Sequence, residues 1–281
     1  MALVSSRLLV AFDAGSVSGA VVPSRFRSPR VRTLARVPLP PGAVVPAPFD
    51  DNVVDPTEVQ AALAALRAQL GADPRACLIL PDGVARTLLL DVPVDTDPAE
   101  FARFRLGPAL PYPAAEAVID VLTVGRSRVL AAAVRRAVVH GYEAVAADAG
   151  FAQERVDLAP LAALAGLLRD GARTASVDVI LGDAAVSLAA FDGRGGLALF
   201  RSRRRDPGPD EAERLRDEVD RTAVLAGIGE THRVRVVGTG APALIRALSF
   251  GGRPAQAGWE SASNGLPQGA AELAWFGAAL A

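Results

Sequence analysis

The stretch Leu8-Leu9-Val10-Ala11-Phe12-Asp13-Ala14-Gly15-Ser16-Val17-Ser18-Gly19 decides the fold. An apolar run makes a buried strand, and Asp13-Ala14-Gly15-Ser16 breaks it with turn residues before a second strand at 20–22. A strand ending in such a turn presents backbone N–H groups that can cradle a phosphate. The usual charge partner of that cradle is a lysine, and the chain has none: all 30 of its basic residues are arginine. Chemistry that needs a lysine amine, including the P-loop and Schiff-base catalysis, is excluded.

Outward from the turn, a plan appears twice. Strands at 8–12, 20–22 and 31–37 precede a helix with Asp55 as N-cap, Pro56 at its first position, Glu58 three residues after the cap and Gly71 as its stop. Val59, Leu63, Leu66 and Leu70 supply its apolar stripe. From Ser176, strands at 176–181, 186–191 and 197–201 again precede a helix, at 210–226, with Gly182-Asp183 at the first turn. A duplicated βββα plan implies two lobes with a ligand cleft between them. The predicted division is a first lobe of 1–75 and 127–172, an inserted α+β subdomain of 76–126, and a second lobe of 173–281.

Inside the insertion a short helix is expected from Asp97-Pro98, with Glu100 three residues after the cap. Phe101, Phe104 and Tyr112 read as core aromatics, and a sheet edge there is a place for an extended peptide to add a strand. Beyond it come a return strand at 128–134, a helix at 136–148 stopped by Gly150, and a strand at 155–158. That strand feeds a helix carrying Leu161, Leu164, Leu167 and Leu168 on one side. A strand at 234–237, the turn Gly238-Thr239-Gly240-Ala241, a helix at 242–248 and a last helix at 268–280 complete the chain.

Composition bounds the function. At 281 residues, 51% hydrophobic and 22% charged, the chain is globular, and a net charge of −1 offers no field to recruit nucleic acid or acidic lipid. The single cysteine, Cys77, lies in an apolar strand and reads as core, which leaves no disulfide within the chain. No apolar run reaches the roughly 20 residues of a membrane span, and no signal-peptide pattern opens the sequence, so a soluble cytoplasmic protein is expected. His140 and His232 lack partners at metal spacing, so no metal is predicted. Val17 at the centre of Gly15 to Gly19 rules out a nucleophile elbow. The basic run Arg201-Ser202-Arg203-Arg204-Arg205 meets Asp206, Asp210, Glu211 and Glu213 and reads as self-compensated. Gly238-Thr239-Gly240-Ala241-Pro242-Ala243, with Glu260 roughly twenty residues on, fits a dinucleotide fingerprint, but too little chain follows to complete a doubly wound sheet.

Several motifs in one order resemble the PilM family of type IV pilus assembly, and more distantly FtsA and the cytoplasmic part of GspL. Asp13-Ala14-Gly15-Ser16-Val17-Ser18 matches the family's opening phosphate turn, Leu80-Pro81-Asp82 its Ile-Pro-Asp, and Leu110-Pro111-Tyr112-Pro113 its Ile-Pro-Phe-Pro run. Val156-Asp157-Leu158-Ala159-Pro160, Glu218-Val219-Asp220-Arg221-Thr222 and Gly238-Thr239-Gly240-Ala241 continue the likeness across nearly the whole chain. The resemblance implies an α/β, actin-like (ribonuclease H-like) two-lobed fold around a nucleotide cleft. Asp13, Gly15, Ser16, Ser18, Gly182, Gly238 and Gly240 would be the cleft residues. It also implies a PilN-like bitopic inner-membrane partner whose N-terminal cytoplasmic tail binds near Leu88, Leu90, Phe104, Leu110 and Tyr112. Other pilus assembly proteins would complete the complex, and this chain would sit in the cytoplasm, peripheral to the inner membrane through its partner.

Two departures argue against catalysis. Gly19 stands where the family carries a lysine, and Ile180 where it carries its metal-directing carboxylate, with neither Asp178 nor Asp183 expected to replace it. ATP is therefore expected to bind weakly or not at all, and no catalytic residue is assigned. The alternatives are an active ATPase or sugar kinase of the same superfold, resting on Asp13 alone, and a GspL-type domain of type II secretion.

Overall fold

The computed structural model describes residues 6–23, 33–71, 75–125, 127–169, 174–229, 232–238, 241–250 and 253–257. The first sheet has the order β3 (Thr33–Pro38), β2 (Ser16–Pro23), β1 (Ser6–Phe12), β4 (Arg75–Leu80) and β8 (Ala152–Leu158). β1, β2 and β3 form an antiparallel meander, and β4 and β8 join it in parallel. The second sheet repeats this in order and direction: β11 (Leu197–Arg204), β10 (Ala185–Phe191), β9 (Ser176–Leu181), β12 (Arg233–Gly238) and β15 (Gln256–Ala257). The duplication read from the sequence is therefore a duplication of topology. Because each sheet mixes parallel and antiparallel neighbours, the doubly wound alternative does not apply.

Local chemistry sets the elements. In α1 (Pro56–Leu70) the Asp55 carboxylate accepts the Glu58 N–H at 3.1 Å, and Gly71 closes the helix in the left-handed region, φ 56°. α5 (Glu211–Ala226) ends the same way at Gly227, φ 66°. α1 and α3 (Arg136–Asp148) cover one face of the first sheet, where Val10, Phe12, Leu63, Leu66, Leu78 and Tyr142 share a core. On the second sheet α5 and α6 (Ala241–Ala247) cover the face bearing Val177, Val179 and Leu188. The helix α4 (Ala159–Arg169) lies between the two sheets. Its Ala162 packs with Leu9, Ala11 and Ile79 of the first, while its Leu164 and Leu167 pack with Ile180, Phe191 and Val237 of the second. A two-residue ladder of β13 (Ser249–Phe250) and β14 (Arg253–Pro254) follows α6.

The insertion is a three-stranded antiparallel sheet of β5 (Ala85–Asp91), β7 (Arg128–Arg135) and β6 (Ala117–Thr123), backed by α2 (Pro98–Leu106). Its bounds differ from the expected 76–126. β4, buried along nearly its whole length, is a central strand of the first lobe, and β7 is the middle strand of the insertion. Pairing thus moves the insertion to residues 85–135, from β5 through β7, because a fully apolar run such as β4 suits a two-sided parallel strand. The last predicted helix, 268–280, lies outside the described residues.

α2 begins as expected, with the Asp97 carboxylate accepting the Glu100 N–H at 2.8 Å. Its buried face is Ala102 and Leu106, however, and Phe104 is 77% exposed, so Phe104 is not a core residue. In a nine-residue helix two aromatics three apart need not both face the sheet, and here the small Ala102 lets the helix approach it closely. The stability consequences are opposite for neighbours in sequence. Leu106→Ala should cost about 2–5 kcal/mol in denaturant melts, whereas Phe104→Ala should change stability by no more than about 0.5 kcal/mol. Equal costs would mean that α2 is rotated from the position described.

Candidate functional site

Parallel neighbours β1 and β4 in one lobe, and β9 and β12 in the other, bring their carboxyl ends toward one cleft, the usual ligand position in such sheets. Asp13 follows β1, Asp82 follows β4 and Asp183 follows β9. The turn after β1 is tight: the Asp13 N–H donates to the Ser16 carbonyl at 2.9 Å, and the Asp13 Oδ1 accepts the Ala14 N–H at 2.9 Å. Ser16 and Ser18 fall inside β2 rather than in a loop. Both are buried, and the Ser16 hydroxyl accepts a hydrogen bond from Arg36 Nε at 2.9 Å.

The glycines mark close approaches between the lobes and within the second one. A Cβ at Gly182 would lie 2.4 Å from Asp82 Oδ2, so the carboxylate of one lobe points straight at the backbone of the other. A Cβ at Gly15 would meet Asp183 Oδ2 at 4.0 Å, which places the second-lobe carboxylate over the first-lobe turn. Gly238 has φ 104°, and a Cβ there would sit 2.1 Å from the Leu181 carbonyl, so only glycine fits beside β9. Gly240, the remaining expected cleft residue, lies outside the described residues.

The electrostatics are those of crowded acids. Burial, then the neighbouring Asp183 carboxylate and its hydrogen bond, push Asp13 up to about 8. Burial, then Asp183, push Asp82 up to about 7. Asp82 is 6% exposed, and neither of its oxygens has a hydrogen-bond partner. Beneath Asp13, Tyr142 is fully buried, stacks edge-on against Phe12 at 4.9 Å, and donates its hydroxyl to Asn52 Oδ1 at 3.2 Å. Burial and the nearby Asp13 carboxylate both hold that phenol up. Just past the end of β11, Arg205 donates to the Gly182 carbonyl at 2.7 Å and to Glu211 at 2.6 Å. Its charge is thus already engaged by α5.

At these strand ends three carboxylates gather, the turn's two serines are buried in β2, and Arg205 is committed to Gly182 and Glu211. In the sequence Asp13 reads as a cleft residue, Asp183 does not, and Asp82 reads as a motif residue with no site role. Asp82 was visible only as the acid in Leu80-Pro81-Asp82, and nothing local signals that it meets Gly182, 100 residues away in sequence.

A second concave feature lies on the first lobe. A groove of about 270 Å³ runs between the insertion and α3, α4 and β8, lined by Val118, Leu122, Val134, Val139, Leu158 and Leu161. Asp120 and Asp157 bring carboxylates to this otherwise apolar lining. β6 forms one wall and is an outer strand of its sheet. The expected partner residues do not line it. Leu90 and Tyr112 are buried between the insertion sheet and α2, Leu88 and Leu110 pack against the same cluster, and Phe104 projects from the outer face of α2.

No family model matches the chain, and no curated protein matches it. Among solved structures, a PilM–PilN type IV pilus biogenesis complex is similar at 17% identity, covering 86% of this chain and 83% of that one, with a TM-score of 0.65. The cytoplasmic domain of EpsL, an inner-membrane component of the type II secretion system of Vibrio cholerae, is similar at 12% identity, covering 99% and 96%, with a TM-score of 0.57. A Bacteroides thetaiotaomicron protein of actin-like ATPase fold and unknown function follows at 10% identity, covering 87% of each chain, with a TM-score of 0.54. The chain has this actin-like α/β fold. Among the described residues, no helix is long and apolar enough to cross a membrane.

The carboxylate geometry generates a direct test. Millimolar ATP with Mg²⁺ should leave the melting temperature unchanged, since micromolar binding at that excess would add about 4 kcal/mol of stability. A clear upward shift, or ATP hydrolysis lost in Asp13→Ala, would contradict this reading of the cleft.

Proposed function

We propose that this chain is a PilM-type cytoplasmic adaptor of a pilus or related secretion complex, and that it binds the N-terminal tail of a PilN-like inner-membrane protein. The observation that carries the proposal is the apolar groove beside β6. An extended tail laid along an outer strand gains backbone hydrogen bonds, and its alternate side chains enter the pockets of the groove wall. The likeness to a protein solved in complex with PilN supports this reading, as does a cleft unsuited to hydrolysis. In this role the protein is a scaffold, and its chemistry is recognition. The tail is tethered to the membrane by its own transmembrane helix, so the adaptor needs no membrane segment itself.

The EpsL likeness supports a second reading, in which the same fold serves type II secretion. A gene for a bitopic PilN/PilO-like pair beside this one would favour the pilus context.

A groove of this size should hold a short tail with roughly micromolar affinity, about −8 kcal/mol. Val118 is 40% exposed on the groove wall, so Val118→Arg should fold normally and weaken binding of a synthetic tail peptide at least about tenfold in calorimetry. Phe104→Ala should bind as the parent does. If Phe104→Ala loses the peptide and Val118→Arg keeps it, the tail docks on the outer face of α2 instead.

A further inference from the structure

We propose that the carboxylates Asp13, Asp82 and Asp183 form a proton-linked clasp between the two lobes, in the place where this fold would otherwise hold a nucleotide. Two independent observations carry it. Asp183 reaches over the turn of the opposite lobe, its Oδ2 4.0 Å from where a Cβ of Gly15 would lie, and its nearby charge raises the pKa of the buried Asp13. Asp82 is buried, points at Gly182 of the other lobe at a distance only a glycine allows, and has no partner on either oxygen. A buried, unpartnered carboxyl is tolerable when protonated and costly when ionised.

Among the described residues, charged and polar groups face the cluster from both lobes. From the first lobe come Asp13, Asp82 and the Tyr142 phenol beneath them, with Arg36 held by Ser16. From the second lobe come Asp183 and Arg205, whose guanidinium is divided between the Gly182 carbonyl and Glu211. Among the described residues, no group of three or more His, Cys, Asp or Glu side chains is spaced to hold a metal ion.

The direction of the pH effect follows. Asp13 and Asp82 titrate near 8 and 7 in the closed protein and near 3.8 when exposed. The closed form binds more protons throughout that window, so its stability is full below about pH 4, falls as pH rises, and levels off above about pH 8. Each carboxyl that ionises releases its proton to solvent as the lobes part.

The test compares the full chain with Asp183→Asn and, separately, Asp82→Asn, by thermal melting and hydrogen exchange at about pH 6 and about pH 9. In the parent, protection of the segments around Asp82 and Asp183 should fall by up to about tenfold per pH unit for each proton released, and the melting temperature should drop by several degrees. Each amide variant supplies a neutral hydrogen-bonding group, so it should flatten the pH dependence and melt higher than the parent at the alkaline pH. A parent with no pH dependence, or variants that keep it in full, would overturn the clasp. So would millimolar Mg²⁺ raising the melting temperature of the parent but not of the variants, which would make the cluster a cation site.

Discussion

The helix α4 serves three surfaces at once, and the rest of the molecule depends on that. Ala162 packs on the first sheet, Leu164 and Leu167 pack on the second, and Leu161 and Ala162 line the groove beside β6. Fully burying a leucine is worth about 1.5–3 kcal/mol, so Leu164 and Leu167 anchor the second lobe strongly for an element of eleven residues. Alanine on the opposite side lets the helix approach the first sheet closely. The spacing that α4 sets between the lobes also sets how near Asp82 comes to Gly182.

The insertion leans on the same junction. Leu130 of β7 and Val124 join the cluster that contains α4 and the second sheet, and Arg128 donates to the Leu197 carbonyl at 3.0 Å while pairing with Asp91 at 2.7 Å. A peptide entering the groove would press on β6, β7 and α4, all of which contact or adjoin the second lobe. The proposed peptide groove and the proposed carboxylate clasp therefore adjoin one another across α4, although their chemistry differs: the first would rest on apolar packing and strand pairing, the second on the protonation of crowded acids.

Much of this was legible from short-range signals. Asp55 with Glu58, Asp97 with Glu100, and Gly71 are features whose physics is local, and the structure uses them as the sequence suggests. The repeated strand and helix plan could be read because hydrophobic period and turn residues recur in the same order. What could not be read depends on distant pairing. The sequence pattern puts β4 in the insertion because a strand's neighbours are not written in its own residues. Spacing alone makes Phe104 read as core, because it does not say which stripe of a short helix meets the sheet. The carboxylate cluster joins three strand ends from two lobes, and only the fold brings Asp82 to Gly182 and Asp183 to Gly15.

The central claim is that the apolar groove beside β6, and not the cleft, is the functional surface. Hydrogen exchange on the full chain, with and without a saturating synthetic PilN-like tail, tests it most directly. The account predicts added protection in β6 (Ala117–Thr123) and in α4 (Ala159–Arg169), with the outer face of α2 unchanged. Protection confined to the turn at 13–16 and the segment at 181–185, with β6 exchanging as in the free protein, would contradict it.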